Sequence, residues 1–405
     1  MPKYTYVAKD KEARGFSGII EAKDYSLAVR ELKKRNFVVI SVTEEKEVKA
    51  TTVVKSKGKK VKTSDIVVFS RQLATLVSSG VSLLTCLNII YDQIESVYLK
   101  QVVVDLRKDI EAGSSLFNAF SRYRGVFPAI FINMVKAGEA SGSLGEILDR
   151  VAVYLEKTEK TKRKIKSALT YPVVVMCMAA AILAFLMLQV VPTFKNMFES
   201  LKGELPLPTK LLIAISDQGV RFFPFILIGP VILWIVFIKY INSDKGRLNF
   251  DRFKLKAPLF GALFEKVIMS RFASTLSILL KSGVNILEAF DIVGEVLGNK
   301  VVQVAVQQTK ASLSSGTSIA KPMEETNRFP PFVYKMIAIG EQTGELEKML
   351  AKVSEYYESQ VDEAIAGLSS IIEPLIIFFL GITVGFIVVS MFLPIFKMTQ
   401  LVQGG

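Results

Sequence analysis

The chain has no histidine in its 405 residues, and it has only two cysteines and one tryptophan. Without an imidazole, Ser-His and Cys-His dyads, HExxH zinc sites and histidine metal ligands are all excluded. Cys86 and Cys177 lie far apart in the sequence, so neither a disulfide framework nor a cysteine-based metal site is predicted. We therefore expect no metal, no cofactor and no enzymatic activity.

Nucleotide-binding motifs are missing as well. Gly58–Lys60 lacks the upstream glycine of a P-loop, and Gly138, Gly142 and Gly145 do not have GxGxxG spacing after a strand. Any energy used by this protein is therefore expected to come from a partner. The first residues carry no apolar segment of the kind found in a signal peptide, so no cleavable signal is predicted.

Apolar residues are abundant and concentrated. The chain is 50% hydrophobic and has a mean hydropathy of +0.38, yet 22% of its residues are charged. This combination indicates apolar segments within a charged chain. The net charge of +13 would suggest nucleic-acid binding in a soluble protein. In a membrane protein it indicates Lys and Arg that fix orientation and face anionic lipid, and we favour this interpretation over nucleic-acid binding.

The second half of the chain repeats the first. Gly138–Leu144 and Gly340–Leu346 share the pattern Gly-Glu-x-x-Gly-x-Leu at a shift of 202 residues. The same shift relates three more pairs: Phe127–Pro128 with Phe329–Pro330, Pro172 with Pro374, and Pro192–Lys195 with Pro394–Lys397. Such self-similarity predicts a duplicated unit, in which a soluble helical region is followed by a membrane span.

The expected fold is mainly α: a polytopic membrane protein with two homologous cytoplasmic helical bundles, three transmembrane helices and a small N-terminal α/β module. The module covers residues 1–43, and a charged linker covers 44–62. Helical periodicity, with Gly and Ser between the helices, predicts six-helix bundles at 63–166 and 250–365. In the module we predict strands at Tyr4–Ala8, Phe16–Ala22 and Phe37–Val42 and a helix at Tyr25–Arg35.

Three segments are apolar enough to span a bilayer, at 171–192, 222–240 and 371–396. Basic residues are dense at 157–166 and 239–256, whereas 193–221 is sparser and carries acidic residues. By the positive-inside rule the N-terminus and both bundles are cytoplasmic, and loop 193–221 and tail 397–405 are periplasmic.

Spans one and three then run in the same direction, which makes the repeats parallel. A duplicated transporter or channel component is the alternative function. It would require polar groups along a path at mid-bilayer, and the predicted spans contain few of them.

The acidic turns are the first candidate site. They contain Gly138, Glu139 and Gly142 in one copy and Gly340, Glu341 and Gly344 in the other. The glycines permit positive φ, and the glutamates can accept backbone N–H bonds, so a rigid turn between packed helices is the favoured interpretation. Contact with a partner or with a cation is the alternative.

Four prolines are candidate hinge residues. Pro172 and Pro374 lie where each last bundle helix meets its span, and Pro192 and Pro394 lie at the outer ends of the spans. Because proline removes a helix hydrogen bond, we expect either structural punctuation or a mechanical hinge.

Taken in order, these motifs resemble the family of type II secretion system protein F and the type IV pilus protein PilC, inner-membrane platform proteins. The resemblance covers essentially the whole chain. Besides both acidic turns, it is carried by Phe69–Leu76 with Ser79–Gly80, Tyr171–Pro172, Val191–Phe194, Leu205–Thr209, and Glu373–Pro374 with Leu393–Pro394.

The resemblance implies a non-enzymatic scaffold at the base of a pilus or pseudopilus. Its implied partners are a hexameric cytoplasmic ATPase, pilin or pseudopilin subunits, other inner-membrane assembly proteins, membrane lipid and further copies of itself. Copy 2 departs from copy 1 at Ser274, which occupies the position of Arg71. Protein secretion, pilus assembly and DNA uptake all remain open as the process served.

Overall fold

The fold is described from a computed structural model, which covers residues 3–9, 15–21, 27, 30, 38–45, 61–200 and 206–403. The chain divides into two compact units, Met1–Lys59 and Lys60–Gly405.

The first unit contains a three-stranded antiparallel sheet. Its strands are β1 (Lys3–Lys9), β2 (Gly15–Glu21) and β3 (Val38–Glu45), in the order β2-β1-β3. The three predicted strands are therefore confirmed. The predicted helix Tyr25–Arg35 lies outside the described residues except at Leu27 and Arg30, as does most of linker 44–62, so the α/β module as a whole stays a prediction.

The second unit begins with six helices that form copy 1. They are α1 (Thr63–Ser78), α2 (Leu83–Gln93), α3 (Val97–Glu111), α4 (Leu116–Ser121), α5 (Ala129–Ser141) and α6 (Leu144–Phe185). The side chains of Ser82, Ser96 and Ser115 each accept an N–H of the first turn of α2, α3 and α4. These caps satisfy donors that have no partner inside the helix, and they fix where the three helices begin.

Copy 2 follows the same plan after one additional helix, α9 (Asp244–Lys256). Its six helices are α10 (Phe260–Lys281), α11 (Ile286–Val296), α12 (Lys300–Ser314), α13 (Ala320–Glu325), α14 (Pro331–Thr343) and α15 (Leu346–Gln403). Asn285 and Asn299 cap α11 and α12. α9 is tied to copy 2, because the buried carboxylate of Asp251 accepts the N–H of Lys300 at 2.8 Å.

One apolar core runs through both copies. In copy 1 it contains four phenylalanines whose ring centroids lie 4.8 to 6.5 Å apart, namely Phe69, Phe120, Phe127 and Phe131. In copy 2 the corresponding pair is Phe272 and Phe329, at 5.1 Å. Burial of such large side chains contributes most of the favourable free energy of folding, so the two bundles stabilise one another.

Two helices are long and apolar enough to cross a membrane, Leu144–Met197 and Leu346–Pro394. Their apolar side chains are largely exposed, with Phe185 at 61% and Phe378 at 68%, as expected for surfaces that face lipid. The predicted second span, 222–240, lies within α8 (Leu207–Ile241). Of this region only Ile232–Ile241 stands out as a shorter apolar helix among the described residues, so a third span stays a prediction.

The segment predicted as loop 193–221 is helical where it is described. α7 (Val191–Ser200) continues the first spanning helix, and α8 begins at Leu207. Loss of apolar character in the sequence therefore does not mark the end of a helix here. A helix that leaves a membrane loses its apolar face without losing its backbone hydrogen bonds.

None of the four prolines ends its helix. Pro172 lies inside α6, Pro374 and Pro394 lie inside α15, and Pro192 is the second residue of α7. Between α6 and α7 the chain forms a π-helix, Leu186–Val190, in which the N–H of Val191 donates to Leu186 five residues earlier. This widened turn directly precedes Pro192, and π-bulges are a recognised source of helix kinks.

Candidate functional site

The acidic turns join α5 to α6 and α14 to α15. Gly142 and Gly344 follow the last residue of α5 and of α14, and both have φ of +71°. This left-handed conformation ends a helix at little cost when the residue is glycine, because no Cβ meets the carbonyl oxygen. The same backbone is therefore built at both turns.

Gly138 and Gly340 serve a different purpose, the close approach of two helices. A Cβ at Gly138 would lie 3.2 Å from the Cα of Leu144, and one at Gly340 would lie 2.8 Å from the Cα of Leu346. In both cases the atom approached belongs to the backbone, so a rotamer change cannot relieve the contact. Glycine therefore lets the two helices of each turn pack this tightly, and the requirement is stricter at Gly340.

Glu139 and Glu341 cap short helices that lie far away in the sequence. The two carboxylate oxygens of Glu139 accept the N–H groups of Leu116 and Phe117 at 2.8 and 3.1 Å, at the start of α4. Glu341 accepts those of Ile319 and Ala320 at 2.6 and 3.1 Å, at the start of α13. A negative charge at this end of a helix also interacts favourably with the helix dipole.

Each acidic turn therefore connects three helices of its bundle. Both oxygens of each glutamate are engaged by amides, which is how a structural cap works. In the part of the chain that the structure describes, no group of three or more His, Cys, Asp or Glu side chains is placed to hold a metal ion. Whether the turns also contact a partner stays a prediction.

Copy 1 packs on copy 2 through α5 and α6. The buried hydroxyl of Thr275 on α10 donates to the phenolic oxygen of Tyr154 on α6 at 3.0 Å. Burial raises the pKa of the Tyr154 phenol, so it stays neutral at ordinary pH. The guanidinium of Arg150 donates to the carbonyl oxygen of Lys281 at 2.7 Å and to the hydroxyl of Ser282 at 3.3 Å.

Three exposed ion pairs join the same two copies. Lys136 contacts Glu288 at 2.7 Å, Lys157 contacts Glu358 at 3.1 Å, and Lys164 contacts Asp362 at 2.7 Å. The last two pairs join α6 to α15, and the residue numbers of the partners increase in the same order along both helices. The two helices therefore run parallel, which supports the prediction of parallel repeats.

Arg71 makes an ion-pair network that copy 2 lacks. Its guanidinium on α1 contacts Glu156 and Asp149 on α6, both at 2.6 Å. The hydrogen bond from Arg71 lowers the pKa of the Glu156 carboxyl. In copy 2 the hydroxyl of Ser274 donates to the backbone oxygen of Arg271 instead.

Near the C-terminal ends of the two long apolar segments, α8 meets both of them through buried hydroxyl groups. Thr209 on α8 donates to the carbonyl oxygen of Ser390 on α15 at 2.5 Å. Ser216 on α8 donates to the carbonyl oxygen of Met187 at 2.5 Å. A small apolar cluster of Val191, Leu212 and Ile387 lies beside them. Sequence reasoning missed this contact, because isolated Ser and Thr residues on helices carry no signal of their partners.

Comparison with known proteins identifies the duplicated unit. The family model of type II secretion system protein F matches residues 69–192 and again residues 272–394. The chain is 41% identical to the type IV pilus assembly protein PilC of Thermus thermophilus over 404 residues, 98% of each chain. It is 38% identical to PilC of Pseudomonas aeruginosa over 346 residues, which is 85% of this chain and 92% of that protein.

A secretion protein matches over the full length as well. The chain is 32% identical to the type II secretion system protein F of Vibrio cholerae over 407 residues, which is 100% of both chains. The two matches of the family model fall on the two copies seen in the fold, and each runs from the first bundle helix into the spanning helix. This chain belongs to the type II secretion system protein F family.

Proposed function

We propose that this chain is the inner-membrane platform protein of a type IV pilus or type II secretion machine. The observation that carries the proposal is the continuity of each bundle with its own apolar helix, α6 over 42 residues and α15 over 58. A displacement of a bundle is thereby passed to a membrane-embedded helix without an intervening flexible loop. The names of the relatives, pilus assembly and secretion proteins, supply the process.

The proposed membrane arrangement has three spans, at 171–192, 222–240 and 371–396. The bundles at 63–166 and 250–365 lie in the cytoplasm, and 193–221 and 397–405 lie in the periplasm. The exposed Lys160, Lys162 and Arg163 on α6 support this orientation, because they stand before the first apolar segment and suit the anionic inner leaflet. The parallel course of α6 and α15 requires an odd number of crossings between them, which α8 would supply.

The partners follow from this arrangement. The bundles would receive force from a hexameric ATPase, and the exposed apolar faces of α6 and α15 would receive pilin or pseudopilin helices. Other inner-membrane assembly proteins would bind beside them. The chain acts here as a scaffold and not as an enzyme, in agreement with the roles that its relatives' names describe.

Pro172 and Pro374 are proposed as the points where bundle motion turns into helix tilt. Proline inside a helix leaves the carbonyl four residues earlier without its usual donor and weakens the helix against bending there. The π-helix before Pro192 is a second weak point in the first spanning helix, and Pro394 is the corresponding position in α15.

Genetic replacement tests the platform role and the hinge separately. In the bacterium that encodes this chain, deletion of its gene should abolish fibre assembly while pilin-like subunits still accumulate in the inner membrane. Complementation with the wild-type chain should restore fibres. The P172A and P374A double variant should insert normally and yet assemble few fibres, with P258A in the connection before α10 as the matched control.

The outcomes separate the two ideas. Fibres in the deletion strain would contradict the platform role. Normal fibre assembly by the double variant would leave the platform role intact and reject the hinge.

A further inference from the structure

The contact between the two copies uses different faces on each copy. Copy 1 contributes a surface on α5 and α6, here named face A, whose members are Ile132, Lys136, Arg150 and Tyr154. Copy 2 contributes a surface on α10 and α11, here named face B, whose members are Thr275, Ser282, Glu288 and Ile292. The interface is therefore head-to-tail rather than two-fold symmetric.

Because the copies are equivalent, each also carries the face that the other one uses. Face A of copy 2 lies on α14 and α15, where Tyr356 takes the position of Tyr154. Face B of copy 1 lies on α1 and α2, where Ile89 takes the position of Ile292. A head-to-tail pair always leaves one face of each kind unused.

The exposure of equivalent side chains shows which faces are unused. Tyr154 is 6% exposed in face A of copy 1, whereas Tyr356 is 46% exposed in face A of copy 2. Ile292 is 3% exposed in face B of copy 2, whereas Ile89 is 37% exposed in face B of copy 1. Phe332 adds a second exposed ring beside Tyr356, with the centroids 4.6 Å apart.

The unused faces both lack the charge that the used faces carry at one pair of equivalent positions. The ion pair between Lys136 and Glu288 corresponds to Ala338 and Thr85, two uncharged residues. A contact between the unused faces would therefore bury no unpaired charge at this point. If only one of the two positions were uncharged, the charge on the other would be buried without a partner.

The polar contacts can also be rebuilt. Lys352 replaces Arg150 and keeps a cation for the C-terminal end of α1, where a positive charge is favourable. Ser79 keeps the hydroxyl of Ser282, and Gln72 replaces Thr275 with another hydrogen-bonding side chain opposite Tyr356.

We propose that face A of copy 2 binds face B of copy 1 in a second molecule of the same chain. The contact between two molecules then has the same head-to-tail geometry as the contact between the two copies within each molecule. Since α6 and α15 run parallel, every added molecule keeps its spanning helices in the same direction. The assembly is a ring if the rotation closes and an open arc if it does not.

Thiol crosslinking between two differently tagged chains tests this contact. Both chains carry C86A and C177A, one carries Y356C and the other Q72C, and both are treated in native membranes with a bifunctional maleimide whose spacer replaces the length of the tyrosine side chain. A crosslinker is needed because a disulfide requires Cβ atoms ~4 Å apart, whereas the contact between Tyr154 and Thr275 is made by the phenolic oxygen. We expect a mixed crosslinked dimer ~10-fold or more above the control pair Y356C and Q101C, since only the first pair faces across the proposed interface. Gln101 is exposed on α3, away from both faces.

Two results would overturn the proposal. One is self-crosslinking of Y356C chains alone at the level of the mixed pair, which indicates a two-fold interface. The other is mixed product at the control level, which indicates that the two faces do not meet.

A second measurement does not depend on cysteine chemistry. In detergent we expect light scattering to find oligomers for the wild type and for V304A, a control at an exposed apolar position on α12, and to find mainly monomers for the F332A and Y356A double variant. An unchanged distribution would count against the interface. The proposal rests on the duplication and not on the proposed function, so failed crosslinking with intact fibre assembly rejects the interface alone.

Discussion

Copy 1 and copy 2 share their acidic turn and differ in how their first and last helices are joined. In copy 1 the Arg71 guanidinium joins α1 to Glu156 on α6 at 2.6 Å. In copy 2 Ser274 cannot make this bond, and Glu358, the equivalent of Glu156, contacts Lys157 of copy 1 instead. The equivalent carboxylates of Glu156 and Glu358 thus form a bond within a bundle in one copy and a bond between the bundles in the other.

The comparison separates what a bundle needs in order to fold from what the pair needs in order to assemble. The turn glycines and the capping glutamates occur in both copies and act within one bundle. The ion pairs and the aromatic faces differ between the copies and act at or near the contact between them. Variants in equivalent positions of the two copies can therefore test each role separately.

The largest expected effect is at the glycines where the helices approach. A Cβ at Gly340 would lie 2.8 Å from the Cα of Leu346, so G340A should lower the free energy of unfolding by about 3 kcal/mol. G138A, with 3.2 Å to the Cα of Leu144, should cost about 1 kcal/mol. Thermal unfolding in detergent measures both, with G367A, which meets no atom within 4 Å, as the control. Equal losses would mean that the two turns relax alike.

Removal of the capping glutamates should have the next largest effect, and an equal one in both copies. E139A and E341A each leave two helix N–H groups without their charged acceptor and should cost ~2 kcal/mol. E139Q and E341Q keep one acceptor oxygen and should lose about half of that. A variant that unfolds at the wild-type temperature but fails to assemble fibres would instead support the partner-contact interpretation of the turns.

Local features of the fold could be predicted from the sequence. Ser82, Ser96 and Ser115 at helix starts, and Gly142 and Gly344 at helix ends, act through atoms a few residues away. Their geometry is fixed by the chain itself, so the order of the bundle helices followed from residue types. The family resemblance rested on the same residues and is now shown by full-length relatives.

Contacts between distant residues could not be predicted in the same way. Glu139 was expected to act within its own turn, yet it caps a helix that starts 23 residues earlier at Leu116. Nothing near Thr275 indicates that it meets Tyr154, which lies 121 residues away. Pro172 and Pro374 lie inside continuous helices, whose remaining hydrogen bonds and neighbours keep them intact. Whether they act as hinges stays a prediction.

The ion-pair network of copy 1 should have a moderate effect that depends on pH. R71S copies the residue of copy 2 and should cost ~1 kcal/mol or less at neutral pH, because Arg71 and its partners are partly exposed. The Glu156 pKa is lowered from 4.5 in the folded state. This contribution is therefore complete above pH 4.5 and is lost as the pH falls through the lowered pKa.

Unfolding temperatures at neutral pH and below pH 4.5 measure this effect. R71S should differ from the wild type at neutral pH and approach it in acid. S274A, at the equivalent position of copy 2, should follow the wild type throughout. A difference between R71S and the wild type that is the same at every pH would mean that Arg71 acts through packing.

The smallest effect is expected at the ion pairs between the copies. Lys157, Lys164 and their partners are exposed, so K157A and K164A should each cost only ~0.2–1 kcal/mol, and less at high salt.

The copies are held mainly by the apolar core that they share and by the buried bond between Thr275 and Tyr154. Y154F should therefore cost about 1 kcal/mol at any salt concentration, whereas Y356F, at the exposed equivalent, should cost little. Thermal unfolding of the four variants at ~0.05 M and ~1 M salt distinguishes the two contributions, since screening acts on exposed charges only. If high salt lowered the wild-type unfolding temperature as much as Y154F does, the exposed charges and not the buried core would be what holds the two bundles together.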